Sequence, residues 1–295
     1  MESKKALIRL FAILAGTLIT LFIVVVTLRT MALRRPPIKT EILGLKQTPS
    51  VFAGGDLDQG SPFSARALEA TLNLGDAVVP TLEVRASADG EWILYNSDSL
   101  SEWTNGDGEI ERQNWAELKK LRWKNNPDSG GLLLLRDFIA QHPLPKVLIL
   151  VHHRAVAAAA SLLKILGDRD EPALTMMRAE NHQLNRELRK QRPLWYFVAD
   201  SVTLTQWQLF TALWLDPLAP TSFEWVPNDW PRTPMPTSPR LYAELKRRGI
   251  GSILWSNDSQ SLQEKMQQTS PLGILTNRPK LILEYLKVAQ SQRSN

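Results

Sequence analysis

The chain contains no cysteine. This absence excludes disulfide bonds, thiolate metal sites and a cysteine nucleophile. The chain also lacks a phosphate-binding loop and a dinucleotide-binding fingerprint. Its glycine pairs, Gly54-Gly55 and Gly130-Gly131, have neither the required spacing nor the helix that would have to follow them. We therefore expect neither thiol chemistry nor nucleotide binding of these two kinds.

Positive charge is in excess, but much of it lies near the N-terminus. The formal net charge is +5, and membrane topology accounts for the basic residues among the first 35 positions. These residues are Lys4, Lys5, Arg9, Arg29, Arg34 and Arg35. A second basic run, at 186–192, has no interleaved aromatic residue and is typical of a solvated helix end. Its alternative role is contact with a phosphate or a lipid headgroup. We expect no nucleic-acid binding.

One candidate membrane segment runs from Leu10 to Leu28 without a charge. That length suits a helix that crosses the hydrocarbon layer of a bilayer. A cleaved signal peptide would have a shorter apolar region and a small-residue cleavage site, whereas this run ends in the basic segment 29–35. A buried core helix would not be apolar on every face between basic flanks. We interpret residues 10–28 as a transmembrane anchor, preceded by a tail at 1–9 and followed by a linker at 29–49.

Basic residues flank the anchor on both sides, so the positive-inside rule does not decide its orientation. A short N-terminal tail before a large C-terminal domain is the usual geometry of a signal anchor that leaves the domain outside the cytoplasm. We predict a single-pass membrane protein with an extracytoplasmic domain.

The remaining region, residues 50–290, has the size of one closed β/α barrel. Apolar runs bounded by polar turns predict buried strands at 51–54, 78–84, 147–152, 173–177, 195–199, 221–226, 252–255 and 273–276. Helical patterns alternate with these strands at 65–74, 156–166, 180–190, 205–215, 239–248, 259–268 and 279–289. Alternation implies parallel strands and right-handed crossovers. We predict a TIM-type (β/α)8 barrel, with an open doubly wound sheet as the alternative.

A turn at Asp89-Gly90 predicts a hairpin to an additional strand at 92–96. The surrounding motifs run from Glu83 through Asp89-Gly90 to Leu100, Thr104, Gly106 and Gly108. They resemble the glycerophosphodiester phosphodiesterase family, whose members read roughly Ile-Glu-x-Asp-Val, Thr-x-Asp-Gly, His-Asp-x-x-Leu and Thr-x-Gly-x-Gly. The segments 51–55 and 273–279 are similar to the family's first and last motifs. The resemblance covers about residues 50 to 288 and implies the phospholipase C-like phosphodiesterase barrel.

The resemblance also implies a divalent cation, Ca²⁺ or Mg²⁺, held by carboxylates, and two histidines that act as acid and base. The chain departs from this pattern at most of these positions. Phe52 and Asn96 stand where the histidines are expected, and Arg85 stands at a metal-binding aspartate. Glu83 is the one metal ligand of the family pattern that this chain retains. At the position of the family's Glu-x-Lys motif, the chain has Val-His-His at residues 151–153. We expect no cofactor and no hydrolysis by the family's route.

Residues at the C-terminal ends of the strands are the site candidates, because active sites of β/α barrels lie there. The inventory is Phe52, Glu83, Arg85, His152, His153, Arg154, Arg178, Asp200, Asn228, Asp229, Asn257, Asp258 and Asn277, with Asn96 and Asp98 from the hairpin. Within it and the adjoining aromatic residues, we assign ligand binding to Glu83, Arg85, Asp98, Arg154, Trp255 and Asn257. Three tryptophans, Trp103, Trp123 and Trp255, are expected at the barrel mouth.

His152 and His153 are the candidate catalytic histidines, and one of them should face the mouth because neighbouring strand residues point to opposite faces. Arg85 is expected to pair with Glu83, since the two lie two positions apart on one strand. The sequence favours a membrane-anchored, catalytically inactive barrel that binds a protein partner or an anionic small ligand. The alternative is a divergent phosphoric diester hydrolase for glycerophosphodiesters or related lipid-derived diesters, with Ca²⁺ or Mg²⁺ required only in that case.

Overall fold

The computed structural model describes residues 2–35, 49–125, 130–153, 155–167, 175–219, 223–228, 230 and 238–294. Its strands are β1 Ser50–Ala53, β2 Val78–Ala86, β3 Trp92–Leu94, β4 Val147–Val151, β5 Thr175–Ala179, β6 Tyr196–Phe197, β7 Trp225–Asn228, β8 Gly251–Trp255 and β9 Gly273–Thr276. Its helices are α1 Glu2–Leu33, α2 Ala65–Leu72, α3 Trp115–Leu118, α4 Leu135–Gln141, α5 Ala159–Leu166, α6 His182–Gln191, α7 Ser201–Ala212, α8 Pro239–Arg247, α9 Ser259–Thr269 and α10 Pro279–Ser294.

The strands form a near-closed parallel barrel, consistent with the predicted TIM-type fold. Their order is β6-β5-β4-β2-β1-β9-β8-β7, and a parallel bridge between Val198 and Trp225 joins the two ends. β3 lies outside this order and pairs antiparallel with the end of β2. The turn before it contains Gly90 at a φ of 83°, a left-handed conformation that glycine adopts without steric cost. The predicted hairpin is therefore present.

Capping side chains fix several helix starts. The Ser64 side chain accepts a hydrogen bond from the Ala67 amide at the start of α2, and the Asp258 side chain accepts hydrogen bonds from the Gln260 and Ser261 amides at the start of α9. The Asp200 side chain accepts from the Thr203 amide, so that α7 begins at Ser201, earlier than the predicted residue 205. Two predicted strands begin outside the described residues, at 173–174 and 221–222.

The barrel interior is filled by apolar side chains, which is usual for this fold. Phe52 of β1 is fully buried there, and its ring meets the Trp225 ring edge-on with centroids 6.1 Å apart. A Cβ atom on Gly273 would come within 2.5 Å of the Phe52 ring. The glycine at the start of β9 therefore makes room for the phenylalanine.

α1 contains a candidate membrane span, Arg9–Leu33, in which an 18-residue window has a mean hydropathy of 2.7 and no buried residue. It is long and apolar enough to span a membrane, and the predicted anchor at 10–28 lies within it. The last turns of α1 contact the barrel, where Arg29 Nη1 donates to the Trp214 carbonyl over 3.0 Å and Arg247 Nη1 donates to the Leu33 carbonyl over 3.2 Å. The predicted linker begins inside α1, and its residues 36–48 lie outside the described part of the chain.

Candidate functional site

A cavity of about 330 Å³ opens at the C-terminal ends of the barrel strands. Active sites of β/α barrels are located at this end. Its walls combine three tryptophans with carboxylates, amides and two basic side chains. The lining residues are Leu57, Glu83, Asn96, Ser97, Glu102, Trp103, Leu150, His152, Arg178, Glu180, Trp230, Trp255, Asn257, Leu275 and Asn277.

His152 lies at the centre of the polar wall, held by both ring nitrogens. It directly follows β4, so that its neighbours come from the strands on either side. Nε2 lies 2.8 Å from Glu83 Oε2 on β2, and Nδ1 lies 2.8 Å from Glu180 Oε1, immediately after β5. The imidazole is thus a bridge between two carboxylates.

The bridge determines the charge state of this wall. Burial alone would lower the pKa of His152, but the hydrogen bonds to Glu180 and Glu83 outweigh it and raise the pKa above its usual value. Burial likewise opposes ionisation of Glu180, yet the hydrogen bond from His152 lowers the pKa of Glu180 to about 2. Both shifts favour a protonated His152 beside an ionised Glu180.

Arg178 supplies the second cation. It lies on β5 and is buried, and its Nε donates to the Ala199 carbonyl over 3.2 Å. Its guanidinium lies over the Trp230 ring, 5.2 Å from the centroid, where a cation–π contact is favourable. Burial lowers the pKa of Arg178, and the nearby carboxylates oppose that shift. An arginine remains charged even so.

Two of the three tryptophans predicted at the mouth line the cavity, namely Trp103 and Trp255. Trp123 does not, because it is buried below the surface and stacks on Tyr95 with centroids 6.3 Å apart. Trp230 was missed by the sequence analysis. It follows β7 by two positions, so the rule that selected the other candidates could have found it.

The predicted pairing of Arg85 with Glu83 is wrong. Arg85 instead forms an ion pair with Asp98 and another with Glu111 Oε1 at 3.3 Å, and it also contacts the Asn96 carbonyl. β2 extends past its pairing with β4, which ends at Val84, and residues 84–86 pair with β3. Arg85 therefore faces the hairpin and the segment after it.

The predicted ligand-binding residues are distributed between two separate sites. Glu83, Trp255 and Asn257 line the cavity, whereas Arg85 and Asp98 line a separate small cleft. Asn257 Oδ1 accepts hydrogen bonds from the Asn277 amide at 2.7 Å and from a threonine hydroxyl, so its orientation is fixed. Arg154 lies outside the described residues.

The remaining catalytic candidates lie at different depths. Asn96 lines the cavity, but Phe52 lies in the barrel core and is absent from the wall. His153 points away from His152, as strand alternation requires, and its ring meets Trp92 edge-on at 5.5 Å. Its Nδ1 lies 3.3 Å from Glu111 Oε1, and burial lowers the pKa of His153.

The donors present do not fit a divalent cation of the kind that the family resemblance implies. Ca²⁺ requires six to eight oxygen ligands, and Mg²⁺ requires near-ideal octahedral geometry. Glu83 and Glu180 are both engaged by His152, and the imidazole occupies the space between them. In the part of the chain that the structure describes, no three acidic or histidine side chains are grouped as a metal site would need.

The raised pKa of His152 predicts a pH dependence of stability. An unfolded histidine titrates near pH 6.5, so above that pH the folded chain retains a proton that the unfolded chain has lost. Stability then falls as pH rises through the folded pKa, by up to about 1.4 kcal/mol per pH unit. Urea unfolding of the full chain in detergent, between about pH 6 and pH 9, measures this slope.

His152→Gln should flatten the slope. His153 acts in a different window, because its lowered pKa affects stability below about pH 6.5. The other ionisable side chains around His152 in the cavity wall are Glu83, Glu180 and Arg178. An unchanged slope in the His152→Gln variant would contradict the assignment of the proton to this imidazole.

No protein-family model matches the chain, and no curated protein matches it. Solved structures do. A phosphodiesterase from Oleispira antarctica, in complex with the product sn-glycerol-3-phosphate, has a TM-score of 0.62 at 17% identity over 81% of this chain and 97% of that chain. A glycerophosphodiester phosphodiesterase from Agrobacterium tumefaciens has a TM-score of 0.60 at 17% identity, over 82% of this chain and 100% of that chain.

A glycerophosphoryl diester phosphodiesterase domain from Mycobacterium tuberculosis has a TM-score of 0.64 at 12% identity, over 81% of this chain and 99% of that chain. Likeness at these identities is a likeness of fold. The chain has the barrel fold of the glycerophosphodiester phosphodiesterases.

Proposed function

We propose that this chain is a membrane-anchored barrel that binds a small polyol-containing ligand and does not hydrolyse phosphodiesters by the route of the enzymes whose fold it shares. The observation that carries the proposal is the imidazole of His152, which is held by Glu83 and Glu180 through both ring nitrogens. α1 would be the single-pass anchor, with the barrel outside the cytoplasm.

The bridged imidazole lacks the free lone pair that a general base needs. An imidazolium donates from both nitrogens and accepts from neither. The two positions at which the family resemblance expects histidines cannot replace it, because Phe52 is in the apolar core and the side-chain amide of Asn96 is neither an acid nor a base near neutral pH. Each missing proton transfer costs a factor of about 10² to 10⁴ in rate.

The cavity's composition favours a hydroxyl-rich ligand. The lining contains three carboxyl side chains, of Glu83, Glu102 and Glu180, against two basic side chains, of His152 and Arg178. This balance disfavours a phosphate dianion, so the anionic ligand expected from sequence is the weaker candidate. Carboxylates accept hydrogen bonds from hydroxyl groups, and the tryptophan faces can cover the carbon skeleton of a glycerol or sugar unit.

Calorimetric titration of the full chain in detergent tests the proposal, with glycerol, sn-glycerol-3-phosphate and glycerophosphoinositol as ligands. We expect the neutral polyol or the monoanionic diester to bind more tightly than the phosphate monoester. Trp255→Ala should weaken that binding about tenfold, since stacking on an aromatic face contributes roughly 1 kcal/mol or more. Trp214→Ala, outside the cavity, is the matched control.

The same preparation is assayed for release of sn-glycerol-3-phosphate from the diester, with Ca²⁺ and with Mg²⁺ added. No turnover is expected. Metal-dependent turnover that disappears in Glu83→Gln would overturn the proposal. It would establish that this chain hydrolyses the diester by the route of the enzymes whose fold it shares, despite the altered metal ligands.

The alternative function is that of a divergent phosphoric diester hydrolase. It is favoured by the same imidazole of His152, acting as a general acid. A protonated His152 could donate a proton to a leaving alcohol while the ionised Glu180 accepts one from water. Turnover by that route would need no metal, would fall as pH rises through the pKa of His152, and would be lost in His152→Gln.

A further inference from the structure

The outward face of α7 carries no charge, and it exposes apolar residues beside the polar residues Ser201, Thr205 and Gln206. Residues 201–215 contain no charged side chain, and the exposed fractions of Val202, Leu209 and Leu213 are 46%, 59% and 58%. Their spacing of seven and four positions places them on one helix face. Trp207 packs on the opposite face, into the protein. The adjacent helices α6 and α8 both carry lysine and arginine.

Trp214, two residues after α7, extends this surface. Its side chain is 67% exposed, and its backbone has a φ of 61°. A bulky residue in the left-handed region is strained, so the chain holds the indole outward at an energetic cost. The Arg240 guanidinium lies 3.8 Å from its ring centroid. We call Val202, Leu209, Leu213 and Trp214 the α7 patch.

The α7 patch begins where α1 meets the barrel. Arg29, the first charged residue after the uncharged run, donates from its guanidinium to the Trp214 carbonyl. Ala32, one turn further, is buried against the barrel, and Arg247 donates to the Leu33 carbonyl. Trp214 is therefore at the level at which the candidate membrane helix changes from apolar to basic.

We infer that the α7 patch lies in the headgroup interface of the bilayer that α1 spans, an inference that rests on the anchoring part of the proposed function. Tryptophan is enriched at that depth, and exposed leucines can enter the acyl boundary. The basic residues Arg34, Arg35 and Lys246 are exposed or partly exposed nearby, where they complement anionic headgroups. The partner is thus an anionic phospholipid surface, and the patch fixes the tilt of the barrel on it.

The absence of cysteine permits a direct test, because a single introduced cysteine can carry one label. Leu209→Cys is labelled with nitrobenzoxadiazole, and the full chain is reconstituted into vesicles of phosphatidylcholine and phosphatidylglycerol that contain a lipid with a nitroxide near the headgroup. Val288→Cys is the matched control, since Val288 on α10 is equally exposed at 57%. Phe22→Cys in α1 reports insertion of the anchor.

We expect the label at Leu209 to be quenched about threefold more than the label at Val288, because interfacial side chains enter only about 5–10 Å into the boundary. Adding Leu213→Asp to Leu209→Cys should reduce that quenching to the level of Val288. Equal quenching at Leu209 and Val288 while Phe22 is quenched overturns this inference alone. Absence of quenching at Phe22 overturns the anchor and this inference together.

A second copy of the chain is the competing occupant. It would shield the Leu209 label from aqueous iodide, leave it insensitive to the nitroxide lipid, and produce self-quenching that falls when labelled chains are diluted with unlabelled ones. That combination would overturn the lipid assignment.

Discussion

His152→Ala is expected to lower the free energy of unfolding by about 3–5 kcal/mol, the usual effect of removing one partner from a buried ion pair. The loss arises mainly at Glu83, whose side chain is 10% exposed and would keep a buried charge without its partner. Glu180 contributes less, because it is 37% exposed and water can screen it. Urea unfolding near neutral pH measures the change.

A double-mutant cycle separates the pair from the rest of the site. Glu83→Gln combined with His152→Gln should recover part of the loss, with a coupling energy of about 1–3 kcal/mol. His142→Ala is the control, because His142 is partly exposed at the end of α4 and packs against Phe138. A coupling near zero would show that the bridge does not stabilise the fold.

Phe52→Ala is expected to cost about 3–5 kcal/mol, because it opens a cavity among rigid neighbours in the barrel core. The ring is fully buried and is enclosed by Trp225 and by the strand start at Gly273. Thermal or urea unfolding of the full chain measures the loss. Phe52→Leu, which keeps most of the volume, should cost less than half as much.

Phe52→His restores the residue that the family resemblance expects, but it should not restore hydrolysis. The imidazole would enter an apolar layer below the cavity, where burying an unpaired polar group costs about 1–3 kcal/mol in addition to the lost volume. Recovery of diesterase activity by this single change would show that position 52 reaches the cavity, contrary to its place in the core.

The barrel could be predicted from the sequence because its strands are buried on both faces. Each strand therefore consists of a short apolar run, of which 147–151 is the clearest. Boundaries were less accurate where a side chain decides them. α7 starts at Ser201 because Asp200 caps it, whereas the apolar pattern suggested a start at residue 205. The hairpin followed from Asp89-Gly90, since that turn type requires a positive φ.

The site was only partly predictable, because its contacts depend on register between strands distant in sequence. Glu83 lies opposite Leu150 in the β2–β4 pair, which brings His152 within reach of its carboxylate. The reasoning that paired Glu83 with Arg85 used the alternation of one strand alone. It did not include the continuation of β2 into a hairpin, beyond which Asp98 and Glu111 form ion pairs with the guanidinium of Arg85.

The contacts of α1 have a consequence for how a ligand reaches the barrel. Trp214 and Arg247, which receive the end of α1, follow or end helices that run antiparallel to the strands, so they lie at the face where the strands begin. The cavity opens at the other face. Under the anchoring proposed above, the opening lies at the end of the barrel remote from the contacts of α1, and we expect it to sample dissolved molecules rather than lipids of the leaflet in which α1 would be anchored.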